Sequence, residues 1–293
     1  MRARNPFAVP ALAAMLLVAG ATGAAPAPPA AAQPAVTGAV SAAPTDRTLP
    51  FATPAAISGY RGEARDAAGR LIYIEQDFVR DGGARRLTLY RCPDGLPFAR
   101  REDDARGGDP AAPDFSLDDA QTGYREGVRR NADGTRSVYV RMNRAGDEKS
   151  APLPTTRHLV IDAGFDAFVM RHFDALLSGA TLPVEFLVPG RLKTIGFRIM
   201  RIKDTGAAAR GEVAFRLELG SWFGFLLPHI DVRYDARTRV LRRYVGLSNL
   251  RDARGDNLKV RIDFPPSQAR RNIPRAELAA AQDAALDGRC PLR

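Results

Sequence analysis

From residue 182 onward the chain alternates between apolar and polar positions. Val184, Phe186 and Val188 are separated by Glu185 and Leu187, and Ile195, Phe197 and Ile199 by Gly196 and Arg198. Val213, Phe215, Leu217 and Leu219 are interleaved with Glu212, Ala214, Arg216 and Glu218. The same period of two returns through Ile230, Val232 and Tyr234 and through Leu258, Val260, Ile262 and Phe264. Successive side chains of a strand point to opposite faces, so these runs predict strands with one buried and one wet face, as in an antiparallel meander. Turns at Lys203-Asp-Thr-Gly206, Tyr234-Asp-Ala-Arg237 and Arg254-Gly-Asp-Asn257 join them. The earlier part reads as hairpins. Ile57–Arg65 and Leu71–Val79 flank Asp66-Ala-Ala-Gly69, Arg85–Cys92 follows Arg80-Asp-Gly-Gly83, and Tyr124–Arg130 and Ser137–Met142 bracket Asn131-Ala-Asp-Gly134. Gly-rich turns between β-favouring runs carry that signal. The polar stretch Asp103–Pro113 reads as a loop.

One segment has a different period. Phe165, Phe168, Val169, Phe173, Leu176 and Leu177 recur at helical spacing, with Asp162 placed to cap the start and Gly179 to end it. A second helix is expected from Pro274 to Leu286, with Pro274 in its first turn. The fold class is therefore mainly β (α+β): a long curved antiparallel meander or half-barrel, with an aromatic helix covering its concave face and a C-terminal helix. A sheet this long has to curl, close or be covered.

The first residues belong to none of this. Arg2 and Arg4 precede the apolar run Ala8–Ala19, and small residues follow, which is the layout of a secretory signal peptide. We assign 1–32 to that signal, 33–56 to an Ala/Pro tether too poor in large apolar groups to fold, and 57–293 to a single antiparallel β domain. The apolar core is shorter than the ~20 residues a membrane helix needs, so no transmembrane segment is expected in the mature chain. The expected location is the periplasm, or outside the cell, after signal removal. Cys92 and Cys290 are the two cysteines, and an even count in an oxidising compartment favours a disulfide. Closing so long a loop is credited with roughly 4–5 kcal/mol in the chain-entropy treatment.

The formal charge of +10 becomes +8 once Arg2 and Arg4 are removed with the signal. The arginines are spread among acids and form no basic run interleaved with stacking aromatics, so nucleic acid is excluded as a partner. Candidate chemistry is sparse. The three histidines, His158, His172 and His229, form no His-Glu-x-x-His, there is no Cys-x-x-Cys, and no phosphate loop occurs, so neither metal nor cofactor is expected. Gly246-Leu-Ser-Asn-Leu250 lacks the second glycine of a nucleophile elbow, and Ser248 reads as a turn residue. No catalytic residue is assigned. The segment Ser221-Trp-Phe-Gly-Phe-Leu-Leu-Pro228 holds the only Trp and reads either as a buried corner or as the lip of an apolar cavity.

The alternating meander, the aromatic helix and the late pattern His229–Tyr244 followed by Asn257–Phe264 resemble the periplasmic half-barrel carriers, of which the lipoprotein-localisation carriers LolA and LolB are members. The resemblance lies in the layout of Ile57–Phe264 and implies an apolar cavity for acyl chains. Its walls would be Phe186, Phe197, Ile199, Phe215, Leu217, Leu219 and Val232, with Phe168 and Phe173 as lid and Trp222 and Phe225 at the lip. The leading expectation is a non-enzymatic periplasmic protein that binds a lipid or other hydrophobic molecule. An envelope-assembly module that engages a protein partner and an exported hydrolase built on His172 or His229 are the alternatives.

Overall fold

A computed structural model of the chain describes residues 56–220 and 229–292, so the signal peptide, the tether and the Ser221–Pro228 segment with Trp222 and Phe225 lie outside the described residues. The first half of the chain forms β1 (Ser58–Arg65), β2 (Leu71–Arg80), β3 (Arg85–Arg91), β4 (Pro97–Asp104), β5 (Asp114–Asp119), β6 (Tyr124–Arg130), β7 (Arg136–Arg141) and β8 (Lys149–Pro152). The second half forms β9 (Leu159–Val160), β10 (Leu182–Val188), β11 (Lys193–Ile202), β12 (Glu212–Leu219), β13 (Ile230–Asp235), β14 (Leu241–Arg251) and β15 (Asn257–Asp263). Four helices accompany them among the described residues: α1 (Gly164–Arg171), α2 (Phe173–Leu177), α3 (Thr205–Ala208) and α4 (Arg275–Gln282).

All fifteen strands belong to one sheet, in the order β8-β7-β6-β5-β4-β3-β2-β1-β15-β14-β13-β12-β11-β10-β9. The neighbours are antiparallel except β9 and β10, which run parallel. The seam at the middle joins the first and last strands, with Glu63 opposite Asp263 and Ala64 opposite Ile262. The two edge strands, β8 and β9, follow each other in the chain and are linked only by residues 153–158. A link of that length reaches at most about 25 Å when extended, so the sheet has to bend until its edges approach. The result is one large curved, unclosed sheet.

Three clusters hold it. Phe168, Val169, Phe173 and Leu176 of α1 and α2 pack on Val184, Ile199, Val213, Phe215, Leu217 and Val232, which places the aromatic helical segment against the second half of the sheet. A second cluster joins Tyr73, Tyr90, Phe98 and Leu117 to Leu250, Val260 and Ile262. The third lies under α4, where Leu278 and Ala281 meet Phe78, Leu87 and Leu89. The expected disulfide is present: Cys92 and Cys290 are bonded, with Cα atoms 5.1 Å apart. It ties the C-terminal tail to the end of β3. No helix among the described residues is long and apolar enough to cross a membrane.

Several local expectations change. The single helix is two, broken at His172, whose φ of −108° and ψ of 12° leave the helical region. Asp162 does not cap it; the residue before α1 is Ala163, which makes no side-chain cap, and the Asp162 carboxylate turns to Asn249 instead. The loop expected over Asp103–Pro113 is shorter, since Asp103 and Asp104 end β4, whose Arg/Asp-rich residues hide the alternation. Ser248 is no turn residue: it lies in the long strand β14, where the pairing with β15 shifts register. In β10 the buried side chains are Val184 and Leu187, while Phe186 is only partly covered. The strict alternation of that run therefore does not hold in the structure.

Candidate functional site

The first half of the sheet turns polar residues to its inner face. Across β1, β2, β3, β4, β5 and β6, the cross-strand partners Tyr60, Asp77, Thr88, Arg101, Leu117 and Glu126 form one continuous row. A neighbouring row carries Glu75 opposite Tyr90. The period of two then sends the apolar residues of the same strands, Phe78, Leu87 and Leu89, to the other face, where α4 covers them. Covering the outer face with a helix is what permits a charged inner face.

These residues meet the second half of the sheet around a cavity of about 330 Å³. That is at the lower end of the range of about 300–1,000 Å³ usual for small-molecule sites. One side of its wall is charged: Glu75, Asp77, Arg86, Arg101, Glu126 and Asp162 line it, together with Asp166 and Arg251. The other side is apolar, built from Phe165, Phe186, Phe197, Leu217, Val232 and Ile262 among others.

Arg101 organises the charged side. Its guanidinium donates to the Tyr90 hydroxyl at 3.2 Å, the Thr88 Oγ1 at 3.1 Å and Asp103 Oδ2 at 3.1 Å. It also lies 3.4 Å from Asp162 Oδ2. Thr88 in turn donates to Asp77 Oδ1 at 2.6 Å. Asp166 accepts from the Tyr234 hydroxyl at 3.0 Å, and Arg86 stands 3.9 Å from its other oxygen. At the far end the Tyr124 hydroxyl donates to Glu126 Oε2 at 2.5 Å, and the Arg251 guanidinium sits 4.0 Å over the Tyr124 ring. Asn249 donates to Asp162 Oδ1 at 2.9 Å, and the Tyr73 hydroxyl donates to Ser248 Oγ at 3.2 Å.

Burial sets the protonation of these groups. Removing a carboxylate from water disfavours its charged form. Burial, reinforced by the Asp77 charge, pushes Glu75 up to about 8. Burial raises Glu126 to about 7, with the Tyr124 hydrogen bond opposing it. Asp103 rises to about 6 by burial, against the pull of Arg101. Asp77 is raised by burial as well, and Arg86 and Arg101 limit the rise. At neutral pH the site thus holds part of its negative charge as bound protons. Among the described residues, no three or more His, Cys, Asp or Glu side chains are grouped so as to hold a metal ion.

The structure sorts the residues expected around a ligand into three groups. Phe186, Phe197, Leu217 and Val232 line the cavity together. Phe168, Phe173, Ile199 and Phe215 are fully buried in the helix–sheet core, where Phe173 meets Phe215 edge-on at 5.4 Å, and they lie behind the cavity wall. Leu219 pairs with Phe197 across β12 and β11 but is not part of the lining. Trp222 and Phe225 fall outside the described residues.

No family model matches the chain, and no curated protein does. Among solved structures, a β-barrel-like protein of a domain of unknown function, DUF1849, from Brucella abortus is similar over 76% of this chain and 100% of its own, at 9% identity and a TM-score of 0.37. Nothing in these comparisons points to the LolA and LolB carriers.

The charged side of the cavity leaves only a faint trace in the sequence. That trace lies in β2, where Tyr73, Glu75 and Asp77 alternate with Ile72, Ile74 and Gln76. That alternation marks a strand, and which of its faces turns inward depends on α4, a contact distant in sequence. The histidines stay outside. His172 stacks on Phe168 with ring centroids 4.6 Å apart, His229 stands 3.5 Å from Asp231 on the exterior, and neither lines the cavity.

Proposed function

We propose that this protein is a non-enzymatic binding protein of the periplasm that takes an amphipathic molecule into its half-barrel cavity. The two-sided lining is the observation that carries this reading. An apolar wall of Phe186, Phe197, Leu217 and Val232 faces a wall of buried carboxyls and guanidiniums across about 330 Å³. Burying apolar surface at about 25 cal/mol per Å² supplies affinity, and the polar wall supplies orientation. The volume favours a single chain or a small amphiphile over a two-chain lipid. The disulfide fits an oxidising compartment.

Native mass spectrometry of the protein purified from its own cell envelope, followed by solvent extraction and lipid analysis, tests this. A stoichiometric co-purifying amphiphile is the expected result. A clean apo mass, with no uptake of added short-chain amphiphiles, would refute it and move the assignment to the envelope-assembly module.

A further inference from the structure

The charged wall is unbalanced in one direction. Five carboxyls line the cavity (Glu75, Asp77, Glu126, Asp162 and Asp166) against three guanidiniums (Arg86, Arg101 and Arg251). The guanidiniums are already engaged. Arg101 serves Tyr90, Thr88, Asp103 and Asp162. Arg86 lies over the Tyr60 ring and beside Asp166. Arg251 donates to the Gly255 carbonyl at 2.7 Å and covers Tyr124.

The acceptors are not all engaged. Glu126 is 3% exposed, yet its Oε1 has no hydrogen-bond partner. Asp162 Oδ2 has none beyond its longer ion-pair contact with Arg101. Arg251 Nε is the one lining donor in the same condition among the described residues. A buried acceptor without a donor costs free energy, and charged acceptors cost most. The groups that bear on Glu126 are Tyr124 from its own strand, Asp162, Arg251 and Arg101. Its cross-strand partners Leu117 and Val140 are apolar. Among the described residues, none donates a hydrogen bond to Oε1. The wall is therefore complementary to a head group that donates hydrogen bonds and carries positive charge.

We infer that the cavity selects cationic amphiphiles, with a primary ammonium donating to Glu126 Oε1 and Asp162 Oδ2 and an alkyl part lying along Phe186, Phe197 and Leu217. This rests on the binding reading above and names the class of ligand. An arriving cation favours the ionised carboxylates, so Glu126 and Glu75 release protons as it binds and affinity rises with pH. The raised values near 7 and 8 place that rise between about pH 6 and 8.

Isothermal titration of the intact protein with octylammonium, octanoate and octanol at pH 6, 7 and 8, in buffers of different ionisation enthalpy, tests the inference. Octylammonium should bind about tenfold or more tighter than octanoate, the scale of one hydrogen bond to a charged group. It should tighten with pH and release protons. In Glu126→Gln the preference for octylammonium over octanol should fall about tenfold, and Asp162→Asn provides the same reading should the first variant fail to fold. Octanoate or octanol binding as tightly as octylammonium would overturn the head-group inference while leaving the cavity reading intact. Binding of none of the three would overturn both.

Discussion

Replacing Glu75 with Gln should make the protein more stable relative to wild type as pH rises. Glu75 and Asp77 sit two residues apart on the inner face of β2, and burial with the neighbouring Asp77 charge moves the Glu75 carboxyl from 4.5 to about 8. Below about pH 4.5 the group is neutral in both folded and unfolded chains and contributes nothing. Between 4.5 and about 8 the unfolded chain has lost the proton that the folded chain keeps. Stability therefore falls across that window, the reverse of an ion-paired carboxylate, and above it the full cost is present. At about 1.36 kcal/mol per pH unit this interval sets a ceiling of about 5 kcal/mol, reduced in practice because Glu75 and Asp77 titrate together. The neutral, similarly shaped Gln removes the ionisation. The stability difference between Glu75→Gln and wild type should then grow by about 2–4 kcal/mol from pH 5 to pH 9. Guanidinium unfolding followed by far-ultraviolet circular dichroism at one-unit pH steps reads it, and ionisations not coupled to Glu75 cancel in the difference. Parallel pH profiles for the two proteins would refute the reasoning.

Other perturbations probe the frame around the cavity. Phe173 is fully buried, edge-on to Phe215 and Tyr234 at 5.4 and 5.9 Å, so Phe173→Ala should cost about 3–5 kcal/mol in denaturant unfolding. A Cβ on Gly164 would come within 2.2 Å of the Ala111 carbonyl oxygen; Gly164→Ala should therefore cost about 1–3 kcal/mol by the same assay, by pushing α1 off the β4–β5 loop. Replacing both Cys92 and Cys290 with Ala should lower stability by up to about 5 kcal/mol, given their separation of 198 residues, and should abolish the difference between oxidised and reduced samples.

Strands β11, β12, β13 and β15 were legible because apolar residues recur at every second position, whereas β10 buries Val184 and Leu187 out of strict alternation and β14 runs through Ser248, expected in a turn. Strands β4 and β5 were not, since Arg100-Arg-Glu-Asp-Asp104 and Asp114-Phe-Ser-Leu-Asp-Asp119 are as polar as a loop. Their polar side chains are held by partners on neighbouring strands, as Arg101 is by Tyr90 and Thr88. Phe186, Phe197, Leu217 and Val232, which the half-barrel resemblance placed around a cavity, line it in the structure, whereas periodicity did not point to the charged residues beside them. Alternation separates the two faces of a strand but does not say which is turned inward. For Phe78, Leu87 and Leu89 the answer lies in Leu278 and Ala281, at the other end of the chain. Phe173 and Phe215 show the converse: both are apolar and inward, yet they pack on each other and leave no room for a ligand.

The pairing of β1 with β15 also dictates an order of events. Each half of the sheet can zip up from hairpins close in sequence, but the join between them brings together segments from opposite ends of the described chain. Such non-local pairing is slow, because chain entropy is lost before any contact is gained. Until β15 arrives, β1 presents a bare row of backbone donors and acceptors to any other chain. The Cys92–Cys290 bond and the docking of α4 both draw on residues beyond β15, so neither is available until the chain that carries β15 has been made. The newly made chain is thus most vulnerable to mispairing in the interval between completing its first eight strands and receiving its last.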